Sequence, residues 1–149
     1  MQYSEGKLGR VFVLRLEEGE KLNDTIEAFA REHRIGCAMA IFLGGSGDGS
    51  KVVVGPEANR GDAIIPMLYT LGGAQEVLAV GTLFPNEAGE PLLHMHAAAG
   101  REGGATVGCT RAGVEVWLVG EVLLLEILGA EAVRKKDAKT GFQLLQVAD

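Results

Sequence analysis

Glycine clusters at Gly44-Gly45-Ser46-Gly47-Asp48-Gly49, Gly72-Gly73 and Gly103-Gly104 cut this chain into apolar runs that are mostly too short for helices. The 149 residues include 22 glycines, about twice the usual share. Glycine turns the backbone tightly without a Cβ penalty. The pattern therefore predicts short strands joined by tight turns.

Residues 10–16 are β-rich, end at Glu17-Glu18-Gly19 and read as a first strand. One helix follows, with Leu22, Ile26, Phe29 and Ala30 at helical spacing and Gly36 as its stop. Asp24 and Glu27 have the spacing of a capping box with aspartate as the cap. Residues 37–43 predict a buried strand, 44–50 a polar loop and 51–54 another strand. A polar loop is expected over 56–62, then a strand over 63–71 interrupted near Pro66. Residues 75–84 and 91–99 predict strands flanking a turn at 85–89. The runs 105–111 and 114–128 complete the sheet, the second as one strand or two, and 141–145 closes the chain. The expected fold class is α+β, a sheet of short strands with one main helix. It forms a single domain over 1–149, with a core at about 8–128 and a closing segment at 130–149.

A formal net charge of −6 and the lack of a basic stripe oppose the phosphate backbone, so direct DNA binding is disfavoured. The single basic run, Arg134-Lys135-Lys136, is followed at once by Asp137. No apolar run approaches the ~18 residues that a membrane span needs. The first six residues lack a signal-peptide core, and two cysteines suit a reducing cytoplasm, which is the expected compartment.

Chemistry concentrates at His94-Met95-His96. On a strand, positions i and i+2 share a face, so both imidazoles can reach one ion while Met95 points into the core. Cys109, on the next expected strand, is the third candidate ligand. Two imidazoles and a thiolate suit zinc better than magnesium or calcium, and three protein ligands leave a fourth position open. The competing reading is two partly exposed histidines hydrogen-bonded to neighbours. His33 belongs to the end of the helix, where imidazole complements the dipole. Cys37 reads as a small core residue. The glycine-rich 44–49 matches neither common phosphate-loop pattern and serves as a turn positioning Ser46 and Asp48. Arg101, Glu115 and Glu121 are further polar positions whose facing the sequence leaves open.

The segment Leu93-His94-Met95-His96-Ala97-Ala98-Ala99-Gly100-Arg101-Glu102 resembles the signature of the PPC domain, conserved in plants and prokaryotes. The likeness extends to the opening strand, the helix ending Phe29-Ala30-Arg31-Glu32-His33, the glycine-rich 43–49 and Gly120-Glu121-Val122. It implies a compact, largely antiparallel sheet with one main helix packed on it, a homotrimer and, in many prokaryotic members, a bound metal such as zinc. Plant members join the domain to Arg-Gly-Arg-Pro-type hooks for the DNA minor groove, and these 149 residues contain none. Where the family has a third histidine in Gly-Gly-His-Leu, this chain reads Val107-Gly108-Cys109-Thr110, which places Cys109 at the histidine.

The expected function is thus a zinc-binding homotrimeric module, DNA-associated or regulatory, with His94, His96 and Cys109 as ligands. One alternative is a small zinc enzyme using Glu115, Glu121 or Asp48 as acid or base. The other is a structural oligomer without metal.

Overall fold

The computed structural model describes residues 1–58 and 64–147. Eight strands form one sheet, and every pairing within it is antiparallel. They are β1 (Lys7–Glu17), β2 (Ala38–Ser46), β3 (Lys51–Pro56), β4 (Pro66–Thr70), β5 (Gln75–Pro85), β6 (Pro91–Arg101), β7 (Gly104–Cys109) and β8 (Val116–Leu128). Their order is β1-β8-β2-β5-β6-β7-β3-β4. A single helix, α1 (Leu22–Glu32), follows β1. A 3-10 turn at Thr110–Ala112 replaces the last residues of the strand expected to reach 111. The loop expected over 56–62 and the strand start expected at 63 fall partly outside the described residues.

Alternation decides the two faces of the sheet. Along β8, Val122 and Leu124 are fully buried while Glu121 and Leu123, alternating with them, are exposed. The inner row continues through Leu16, Phe42 and Met95, and Leu22, Ile26 and Ala30 of α1 close over it. Burying a side chain of this size contributes about 1.5–3 kcal/mol, so this layer holds the fold. One charge enters the inner face. Glu126 is 6% exposed, and both its oxygens lie 2.7 Å from Arg10 guanidinium nitrogens. The Arg10 backbone N–H also donates to it at 3.0 Å. These hydrogen bonds hold the Glu126 carboxyl down at about 2.

The ends of the helix differ from expectation. Its N-cap is Lys21 and has no side-chain cap, so Asp24 and Glu27 form no capping box. Glu27 instead accepts the Leu93 backbone N–H at 2.8 Å, and its carboxylate ties α1 to β6. At the other end Arg34 takes the left-handed conformation (φ 54), ahead of Gly36. Arg34 and Ile35 then donate to the carbonyls of Arg31 and Ala30, a Schellman closure. His33 occupies the C-cap with its ring stacked on Phe29, centroids 4.1 Å apart. Cys37 lies just before β2 and is half-buried rather than a core residue.

The glycine cluster is the largest departure. The polar loop expected over 44–50 begins only after Ser46, because β2 runs through Gly44 and Gly45. A Cβ on Gly44 would sit 2.5 Å from the Val119 carbonyl oxygen. These glycines therefore serve close strand approach as well as turning. The register of β2 on β8 shifts between Gly44 and Gly45, and Leu118 opposite takes a positive φ of 59. That bulge lets residues 116–128 remain one strand.

After β8 the closing segment is a hairpin of β9 (Ala132–Lys136) and β10 (Gln143–Val147). Asp137 caps its turn, accepting the Thr140 backbone N–H and hydroxyl at 2.7 Å each. A parallel bridge between Asn86 and Arg134 joins β9 to the end of β5. Among the described residues no helix is long and apolar enough to cross a membrane.

Candidate metal centre

β6 projects His94 and His96 from the outer face of the sheet, and Met95 between them is fully buried. The two imidazole Nε2 atoms are 3.1 Å apart. Cys109 of β7 is the direct cross-strand partner of His96, which brings its thiol to the same face. The ligand atoms of His94, His96 and Cys109 all lie within 4.8 Å of one another. Tetrahedral zinc with bonds of about 2.0–2.3 Å needs ligand atoms roughly 3.3–3.8 Å apart, so the donor set fits after only small rotations. Hydrogen bonds tie down the inner side of the centre. Buried Thr110 donates to Asn23 Oδ1 at 2.7 Å and lies 3.2 Å from the Met95 carbonyl, clamping β6 and the 3-10 turn to α1.

The site opens into a cavity of about 660 Å³. Val53 of β3, Leu92 of β6 and Phe142 beside β10 give it apolar walls, and Arg111 and Arg134 add two cations. Burial, with repulsion from Arg134, His96 and Arg111, pushes the His94 imidazole below its ordinary pKa. The neutral form that offers a lone pair to a metal is thereby favoured.

The other polar residues singled out in the sequence lie elsewhere. Asp48 accepts the Gly73 backbone N–H at 2.7 Å. Arg101 donates to the Ala74 carbonyl at 3.0 Å and pairs with Glu102 at 3.2 Å. Glu115 is exposed, and its backbone N–H donates to the Ser50 hydroxyl at 3.1 Å. Glu121 stands opposite Arg15 on β8. None of the four lines the cavity. Sequence reasoning missed Arg111 and Arg134. The available signal was Ala132-Val133-Arg134, whose alternation buries Arg134 with Ala132, but the run Arg134-Lys135-Lys136 reads as a solvated basic stretch.

A model of the Plants and Prokaryotes Conserved (PCC) domain matches residues 3–128. The chain belongs to this family. Among solved structures, a plant- and prokaryote-conserved (PPC) protein of Pyrococcus horikoshii is 27% identical. Its TM-score is 0.84, with 100% of this chain and 99% of that one covered. A metal-containing protein of Archaeoglobus fulgidus is 26% identical, with a TM-score of 0.82 over 98% of this chain and 99% of that one. A candidate DNA-binding protein of Ralstonia eutropha JMP134, 19% identical, shares the fold at a TM-score of 0.68 over 91% and 90%. No curated relative matches the chain. The family span ends within β8, so the β9–β10 wall of this PCC domain's cavity lies beyond it.

Proposed function

We propose that this PCC domain is a zinc-binding homotrimer of the cytoplasm that acts as a regulatory or DNA-associated module. The observation that carries this reading is the convergence of His94, His96 and Cys109 on one face, with a cavity in front of them. Two imidazoles and a thiolate select zinc over oxygen-loving cations. Bound zinc would supply a Lewis-acid centre with one open position. A thiolate ligand, together with a second free cysteine at Cys37, suits a reducing compartment.

Assembly is supported by the outer face. Val13, Leu43, Leu78, Val80 and Leu123 stand exposed there on four neighbouring strands. Water-facing sheet surfaces are normally polar, and apolar patches of this extent mark interfaces. Copies of this chain are the occupant, and three close the ring that the PPC resemblance implies. Any DNA association runs through a partner, since a domain of net charge −6 repels phosphate.

A zinc enzyme is the second reading, favoured by the cavity. Its candidate acids or bases, Asp48, Glu115 and Glu121, all lie outside that cavity.

Elemental analysis of untagged protein tests the metal. Wild type should hold about one zinc per chain, reduced at least severalfold in His96→Ala and in Cys109→Ser. Wild type that stays metal-free after zinc supplementation and gel filtration would remove the reading. Full zinc retention in Cys109→Ser would remove Cys109 from the ligand set.

A further inference from the structure

The cavity in front of the histidines contains two arginines, and none of its described lining residues carries a carboxylate. Arg134 is 3% exposed. Its Nε donates to the Leu92 carbonyl at 3.3 Å. Its Nη2 donates to the Thr82 carbonyl at 3.1 Å and the Thr82 hydroxyl at 2.8 Å. These partners are neutral, and among the described residues no acidic group pairs with Arg134. Guanidinium has five N–H donors, so the two on Nη1 are left over. Arg134 lines the cavity, where an acceptor could meet these two N–H groups. Arg111 borders the same space, its guanidinium 5.1 Å from the centroid of the Phe142 ring.

Charge balance then points to an occupant. A divalent ion on two neutral imidazoles and one thiolate carries net +1, and the two guanidiniums raise the cavity to +3. A buried charge without a counter-charge is costly, and this one sits in a chain of net −6. Apart from Gln143 and the candidate ligands, the remaining described side chains of the lining are apolar, and about 660 Å³ is the size of a small-molecule site rather than of a bare ion.

We propose that this cavity binds a small organic anion. Its carboxylate or phosphate oxygens accept the Nη1 protons of Arg134 and pair with Arg111, while its apolar body lies against Val53, Leu92 and Phe142. The proposal deepens the metal reading and rests on it for the third positive charge, whereas the two arginines hold without it. For a regulatory module this supplies the signal: the ligand is an organic acid or phosphate ester.

Calorimetric titration of the full chain, zinc-loaded and zinc-free, with benzoate, phenyl phosphate and benzamide provides the test. At least one anion should bind saturably and at least tenfold more tightly than neutral benzamide. Stronger benzoate would assign an organic acid, and stronger phenyl phosphate a phosphate ester. Arg134→Gln should weaken the preferred anion tenfold or more at unchanged zinc content. Arg111→Gln, at an exposed position, gives a second variant whose folding is secure, and it should weaken the anion severalfold. Benzamide binding as tightly as both anions, no saturable binding by either anion, or wild-type affinity in both variants would each overturn the proposal. Stoichiometric zinc without anion binding would sink this inference alone. Arginine-dependent anion binding by a protein that takes up no zinc would sink only the metal reading.

Discussion

Across β1, β8, β2 and β5 the inner and outer faces of the sheet are both apolar, yet the described residues bury only the inner one. Leu16, Phe42, Met95 and Leu124 on the inner face are at most 1% exposed, whereas Val13, Leu43, Leu78, Val80 and Leu123 on the outer face are 42–77% exposed. Their charged residues differ in the same way. Glu126, facing inward, is closed off by Arg10, while Glu121 three strands from the histidines stays in solvent. The contrast separates two uses of apolar surface: one face folds the chain, and the other is the face that the proposed assembly would bury.

The comparison breaks most readily at Phe42. Phe42→Ala should destabilise the protomer by about 3–5 kcal/mol, read from the urea midpoint, because the ring is fully buried beneath Gly120. A loss under ~1 kcal/mol would mean that the inner face does not hold the fold. Next comes Glu126→Gln, which leaves size unchanged and removes the charge that Arg10 meets. Its expected effect is a fall in Tm of roughly 3–8 °C at neutral pH. Acid sharpens this result. The folded value of about 2 lies below the ordinary ~4.3 of a glutamate. The stabilisation is therefore complete above that ordinary value and is lost as pH falls toward 2. The Tm gap between wild type and Glu126→Gln should close across that window, and a gap unchanged at pH 2.5 would assign the stabilisation to something other than ionisation. Leu78→Glu, on the outer face, should change the protomer least. Sedimentation should show trimer falling to monomer while far-UV circular dichroism stays the same, and a persistent trimer would place the interface elsewhere.

Much of this was legible from periodicity. The helix over Leu22–Glu32, the strand pair β5–β6 and the His94, His96, Cys109 cluster follow from spacing, because side-chain direction on a regular element is set by residue number. Reading failed where an alternative partner competed. Glu27 has capping-box spacing but bonds to β6, and a one-chain pattern does not reveal which backbone N–H lies across the core. Gly44 and Gly45 resemble a turn, yet their lack of Cβ serves the close approach of β8. Arg134 resembles surface charge because its neutral partners, Thr82 and Leu92, are more than forty residues away in sequence.

The hairpin of β9 and β10 has a different standing from the rest of the site. His94, His96 and Cys109 fall inside the span that the family model matches, whereas Arg134 and Phe142 lie after residue 128, beyond it. Under the proposed reading, the candidate metal ligands and the arginine-bearing cavity wall therefore lie on separate stretches of sequence. Substitutions in the last strands would then alter the cavity wall without touching any of the three candidate ligands.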